Sequence, residues 1–190
     1  MEKLINDEEK ALRSLKMGGV VLCPTDTIWG LSCDAMNHNA VQRIYEIKKR
    51  PLDKSLILLV HDIHQLKEYV TEVHPRIETL LVYHKRPLTV IYKANNKIPD
   101  YLSHNDGTIA IRVIREPYIA SIIADLNRPI VSTSANISNT KSPVSYDDIS
   151  EEIKQGVDYI LFPGKKNSNP SKSSMLIKYD EEGELIFLRK

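Results

Sequence analysis

The chain has 190 residues, 42% of them apolar and 27% charged, which suits one globular domain over residues 1–190 and excludes a disordered or fibrous polymer. Its 26 Lys and Arg stand against 25 Asp and Glu, a net charge of +1 that is too balanced for a surface coating nucleic acid, although a local basic groove is compatible with it. Cys23 and Cys33 belong to no metal or redox spacing and read as reduced thiols; with no long apolar run and no signal-peptide pattern at the N-terminus, a cytoplasmic protein without a membrane span is expected.

In chain order, Asn6 or Asp7 caps a first helix with an apolar stripe at Ala11, Leu12 and Leu15, ended by Gly18-Gly19. Residues 20–23 read as a short strand, Pro24-Thr25-Asp26-Thr27 as a hydroxyl-rich turn and residues 28–33 as a second extended piece. Asn39 is placed as the cap of a helix over residues 40–49 with Val41, Ile44 and Tyr45 on its apolar stripe. Lys48 is the next position of that stripe, so its stem should follow the buried face and its ammonium reach the edge of the core. Pro51 stops the helix at Arg50. Leu56-Ile57-Leu58-Leu59-Val60 reads as a strand buried on both faces.

Helices are expected near residues 63–69 and 75–84, the second with Pro75 in its first turn. Residues 88–92 and 108–113 are β-branched strands separated by a polar loop with Pro99, Asn105 and Gly107. A helix over 117–126, a strand over 130–132, a helix over 147–154 and strands over 157–162, 175–178 and 185–188 complete the pattern. Residues 164–174, polar and lysine-bearing, read as a long loop. Alternating strands and helices predict a three-layer α/β domain, and the back-to-back strands predict a mixed parallel and antiparallel sheet.

Three features carry chemistry. Lys48, Lys49, Arg50 and Lys54 lie at the mouth of the buried strand, where they form either a polyanion site or a solvated, dipole-favoured helix end. Ser132-Thr133-Ser134-Ala135-Asn136 offers either small donors to phosphate oxygens or a set of local turns and a helix cap. Arg112 shares a strand face with Thr108 and Ala110, and is either the partner of a carboxylate or phosphate or an edge-strand charge. The chain has no G-x-x-x-x-G-K-[ST] or G-x-G-x-x-G, and Pro163-Gly164-Lys165-Lys166 matches a P-loop only superficially. Its six histidines form no metal set, and no Ser-His-Asp or Cys-His arrangement stands out. A site working by positioning and charge neutralisation is therefore expected, with no protein metal ligands.

Residues 24–31, Pro24-Thr25-Asp26-Thr27-Ile28-Trp29-Gly30-Leu31, resemble the P-T-[ED]-T-x-[YWF]-G-L signature of the YrdC family. Lys48-x-Arg50-Pro51-x-x-Lys54-Ser55-Leu56 and Ser132-Thr133-Ser134-Ala135-Asn136 are similar to its other two signatures, in the family's order and spacing. The resemblance runs from about Gly18 to the C-terminus and is to the short, single-domain form. It implies a YrdC-like twisted sheet around a concave basic cleft and a nucleotidyltransferase activity. L-threonine, bicarbonate and ATP, with Mg²⁺, would give threonylcarbamoyl-adenylate and pyrophosphate. The product would pass to a downstream threonylcarbamoyl-transferase complex that modifies tRNA. Lys48, Arg50 and Lys54 would be the catalytic cations, with Arg50 and Lys54 on the ATP phosphates and Lys48 supporting them. Thr108, Ser134, Asn136, Ser142 and Arg189 would complete the nucleotide site. Thr27, Arg112, Ser132 and Ser174 would hold threonine. The chain departs from the pattern at Leu59, where longer members carry a histidine, and at Met175 and Lys178, where threonine and aspartate are usual. A different class of function, a double-stranded RNA-binding module without catalysis, is suggested by the family's concave basic surface.

Overall fold

The structure, a computed structural model, describes residues 6–162, 173–180 and 184–190. Its elements are α1 (Asp7–Lys16), β1 (Val21–Pro24), β2 (Trp29–Asp34), α2 (His38–Ile47), β3 (Ile57–Val60), α3 (Ile63–Tyr69), α4 (Pro75–Tyr83), β4 (Leu88–Lys93), β5 (Thr108–Val113), α5 (Pro117–Leu126), β6 (Ile130–Ser134), α6 (Glu151–Gly156), β7 (Tyr159–Ile160), β8 (Met175–Tyr179) and β9 (Leu185–Arg189). Residues 163–172, including the P-loop-like segment and most of the expected long loop, lie outside the described residues. No helix among the described residues is long and apolar enough to cross a membrane.

Local chemistry explains most boundaries. Asn6 caps α1 by accepting from Glu9 N at 2.8 Å, and the Glu9 side chain returns the bond to Asn6 N. Gly18, at φ +79°, turns the chain out of that helix. Pro75 and Pro117 each occupy the first turn of a helix, where a missing N–H costs nothing. Two expected starts are corrected. The cap of α2 is Asn37, whose side chain accepts from Ala40 N at 3.1 Å, and Asn39 falls inside the first turn. Residues 147–150 stay out of α6 because Asp148 Oδ2 accepts from the Val144 and Ser145 amides at 3.1 and 2.8 Å, which holds a turn there and leaves Ser150 as the cap. The strand expected over 157–162 shrinks to β7, and a single 3₁₀ turn, Asp100–Leu102, sits in the loop before β5.

The strands form one mixed sheet in the order β7-β1-β2-β6-β3-β5-β4-β8-β9. The β1–β7, β3–β5 and β4–β8 pairs are parallel and the remaining neighbours antiparallel. Period-two alternation splits the side chains between two faces. Leu31, Leu58, Val60, Val90, Ile109, Ile111 and Val131 face a large core built with Val41 and Ile44 of α2, Leu66 of α3, Ile77 of α4 and Ile153 of α6. Leu59 and Ile130 face the other way, into a smaller core with Ala11 and Leu15 of α1 and Ile119, Ile122 and Ile123 of α5. β3 is thus buried on both sides, as its unbroken aliphatic run predicts. Each fully buried aliphatic side chain contributes roughly 1.5–3 kcal/mol. The second core covers only part of its face. Towards β4, β8 and β9 that face stays open, and the chain's polar turns gather over it.

Candidate active site

The uncovered part of the sheet forms a cavity of about 560 Å³. Its floor comes from alternate residues of adjacent strands: Gly30, Ser132 and Ser134, Ile57, Ala110 and Arg112, Ile91, and Leu176. Registers Gly30↔Ser134, Ile57↔Ser132 and Ile57↔Ala110 place these side chains in neighbouring rows. Gly30 is needed for the space itself: a Cβ there would stand 3.1 Å from Ser132 Oγ and 3.2 Å from the Thr133 carbonyl oxygen. Trp29, on the same wall, is backed by Tyr146 and Phe162 with ring centroids 5.2 and 5.8 Å away.

Arg112 lies on an interior strand, between β3 and β4, which removes the edge-strand alternative. The residue is 5% exposed. Its Nη1 donates to Thr27 Oγ1 at 3.2 Å and its Nη2 stands 3.2 Å from Asp26 Oδ1. That ion pair is close but makes no hydrogen bond, which leaves Asp26 Oδ1 buried without a hydrogen-bond partner, and Arg112 Nε is buried without one as well. Burial pulls the Arg112 pKa down, Asp26 opposes the shift and Arg189 adds to it. A buried guanidinium with an unused N–H, beside a second arginine, is a site prepared for an anion.

The basic loop forms the opposite rim. Arg50 Nε and Nη2 donate to the Lys54 and Ser55 carbonyls at 3.1 and 2.8 Å, fixing its planar group against the cavity. Lys54 Nζ donates to Asn139 Oδ1 at 2.9 Å, a neutral partner that leaves its charge uncompensated. Ser55 Oγ lies 2.9 Å from His104 Nδ1, and both residues line the cavity. Lys48 behaves differently. It is 1% exposed and absent from the cavity wall. Its ammonium donates to the carbonyls of Ser134 and Asn136, the latter at 2.6 Å. The Lys48 carbonyl in turn accepts from Ser138 N at 2.8 Å. Lys48 is therefore a positioning residue for the Ser132–Asn136 loop.

At the far end, Arg189 Nε donates to the Ser174 carbonyl at 2.8 Å and Nη2 to Ser174 Oγ at 3.1 Å. Ser174 Oγ is 2.7 Å from Thr89 Oγ1, and Thr89 pairs in register with Arg112. Of the sequence-derived candidates, Thr27, Arg50, Lys54, Arg112, Ser132, Ser134, Ser142, Ser174 and Arg189 line the one cavity, while Lys48, Thr108 and Asn136 do not. Thr108 Oγ1 donates to Asp106 Oδ1 at 2.7 Å. Asn136 Nδ2 donates to the Thr140 carbonyl at 2.7 Å, and its Oδ1 is buried without a partner. Leu59, opposite Arg112 in register, is a fully buried member of the α1/α5 core and does not reach the cavity. Thr25, Asp26 and Ser55 stand in the motifs without a role read from them, and Thr89 and His104 carry no local signal, since their partners are brought in by strand register or, for His104, from 49 residues away.

A mixed α/β sheet whose open face gathers four cations and a rim of hydroxyls defines an anion-gathering enzyme fold. The chain belongs to the Sua5/YciO/YrdC family, whose sequence profile, described as telomere recombination, matches residues 13–190. A Methanocaldococcus jannaschii relative is 34% identical over 192 residues, 98% of this chain and 89% of its own. The threonylcarbamoyl-AMP synthase of Pseudoalteromonas translucida is 32% identical over 165 residues, 85% of this chain and 88% of its own. Sua5 of P. abyssi complexed with L-threonine superposes with a TM-score of 0.84 at 28% identity, covering 98% of this chain. The chain spans 55% of the length of that Sua5.

Proposed function

We propose that this chain is a threonylcarbamoyl-AMP synthase. The observation that carries the reading is the convergence of Arg50, Lys54, Arg112 and Arg189 with Ser132, Ser134, Ser142 and Ser174 on one cavity. In the reaction the threonine amine forms an N–C bond to bicarbonate, water leaves, and the resulting carbamate oxygen attacks the α-phosphorus of ATP. The bond to pyrophosphate breaks. Three anionic groups must meet at close range, so the dominant barrier is charge repulsion, which fixed cations and oriented N–H groups lower.

Arg112 holds the threonine carboxylate, with Thr27, Ser132 and Ser174 around the amino acid. Arg50 and Lys54 take the triphosphate, Ser134 and Ser142 the rest of the nucleotide, and Arg189 stands between the two ligands. Thr108, Asn136 and Lys48 act from behind the wall by holding its loops. Mg²⁺ bound with ATP would neutralise part of the phosphate charge. Asp53 lines the cavity and would offer a carboxylate to an ion carried mainly by phosphates and water. Transfer of the product to tRNA by a downstream threonylcarbamoyl-transferase complex, in the cytoplasm, belongs to the same proposal. A double-stranded RNA module is not favoured, because it needs cations along an exposed groove and Arg112 is buried.

Pyrophosphate release in the presence of threonine and bicarbonate tests this reading. Arg50→Ala is expected to slow it about 100-fold and Lys54→Ala about tenfold, the scale of losing one oriented donor to a transition-state charge. Wild-type turnover in both variants would show that the basic loop is not where the triphosphate sits.

A further inference from the structure

The turn between β1 and β2 contains a hydrogen-bond chain whose proton directions are fully determined. Thr25 Oγ1 lies 2.8 Å from the Ile28 carbonyl oxygen, which only accepts, so the single Thr25 hydroxyl proton is committed there. Thr25 Oγ1 also lies 2.9 Å from Thr27 Oγ1. With the Thr25 proton already placed, Thr27 must be the donor in that contact. Thr25 Oγ1 further accepts from Thr27 N at 3.2 Å, which fills its second lone pair. Thr27 Oγ1 in turn accepts from Arg112 Nη1 at 3.2 Å. One lone pair of Thr27 is left, and no proton. Both threonines are buried, at 6% and 4% exposure, so water does not readily rearrange the chain.

We infer that Thr25 is a positioning residue that turns Thr27 into a pure acceptor and thereby sets which group of the amino acid can lie against it. This rests on the threonine-site reading given above. The facing group must bring its own proton: the α-amino N–H or the β-hydroxyl of the substrate. An amino N–H donated to Thr27 has a successor when the amine becomes a carbamate, because the carbamate nitrogen retains one proton. A carboxylate is refused at this position and is directed to the Arg112 guanidinium, which lines the same cavity. Arg112 and Thr27 thus divide the substrate by hydrogen-bond polarity, the first taking the acceptor end and the second a donor.

Thr25→Val keeps the shape and removes the hydroxyl, freeing the Thr27 proton to point into the cavity. The expected result is a rise of about tenfold in KM for threonine, the cost of one misdirected hydrogen bond, with KM for ATP within about twofold of wild type. Thr25→Ser restores the chain and should return KM for threonine to within about threefold of the wild-type value. Running L-2-aminobutyrate beside L-threonine separates the two donors. If the β-hydroxyl faces Thr27, Thr25→Val loses its preference for threonine; if the amine does, both substrates weaken alike. An unchanged KM for threonine in a folded Thr25→Val, or equal rises in both KM values that Thr25→Ser fails to reverse, would overturn the inference. Wild-type protein showing no threonine-dependent pyrophosphate release would instead overturn the functional reading beneath it.

Discussion

Arg112→Ala is expected to raise the KM for threonine by at least about 100-fold, the scale of truncating one member of a buried, hydrogen-bonded charge pair. The effect is large because the guanidinium is 5% exposed and because its loss strands Asp26, whose side chain is only 10% exposed. Folding should suffer as well, by about 3–5 kcal/mol, since an uncompensated carboxylate is left in the interior. Two companions separate binding from stability. Arg112→Lys keeps the charge and loses the planar fork, and should cost about tenfold in KM. Combining Asp26→Asn with Arg112→Ala should recover part of the stability and none of the threonine affinity. A KM within twofold of wild type in Arg112→Ala would remove Arg112 from the amino-acid site. Titration against threonine at saturating ATP gives the answer.

Lys48→Met should be the second most damaging change, by a different route. Methionine follows the lysine stem but leaves the Asn136 carbonyl without a donor in the interior and the Ser134 carbonyl with the Asn136 amide alone. At about 1–3 kcal/mol for the abandoned Asn136 acceptor and about 1 kcal/mol for the second bond lost at Ser134, partly offset by no longer burying an ammonium, a net loss of about 2 kcal/mol follows. Pyrophosphate release should fall with it, because Ser134 lies on the cavity wall.

The pH dependence is distinctive. Burial, helped by Arg50, lowers the Lys48 pKa from 10.5 to about 8. Between those values the unfolded chain binds the proton that the folded chain has lost, so stability from this residue rises with pH across the window. The neutral amine still has two N–H donors for its two carbonyls, and nothing is given up on deprotonation. The stability gap between wild type and Lys48→Met should therefore widen from pH 8 to pH 10, as read by denaturant unfolding. A gap that narrows over that range would contradict the buried placement of the ammonium.

Lys48 also shows where the sequence stops being informative. Its place on the apolar stripe with Val41, Ile44 and Tyr45 is legible from spacing, and so is the prediction that its head reaches the core edge. Its destination is not, because the accepting carbonyls lie 86 and 88 residues away and only strand register brings them near. The same distinction holds elsewhere. α3, β5 and α5 begin and end where periodicity, the N-terminal Pro117 and β-branched runs place them. The α2 cap falls on Asn37 where Asn39 was expected, because two asparagines flank His38 and the stripe alone does not choose between them. α6 starts late because the Asp148 carboxylate turns back to the Val144 and Ser145 amides, holding a turn where the helix was expected and leaving Ser150 as the cap.

At the cavity, Thr27, Arg50, Lys54, Ser132 and Ser134 are legible through the three motifs, and Arg112 through its strand face. Thr89 is not, since a strand threonine carries no local mark of the partners that register gives it. The loss of the expected histidine at Leu59 is legible, and the structure adds its reason: that side chain completes the core beneath α5.

Mass spectrometry of the reaction products, with threonine and bicarbonate omitted in turn, tests most directly whether this cavity joins an amino acid to a nucleotide. The predicted result is threonylcarbamoyl-adenylate only when ATP, threonine and bicarbonate are all present, and its loss in Arg112→Ala at threonine concentrations that saturate the wild type. Pyrophosphate appearing at the same rate without threonine, with no adenylate in any mixture, would contradict it.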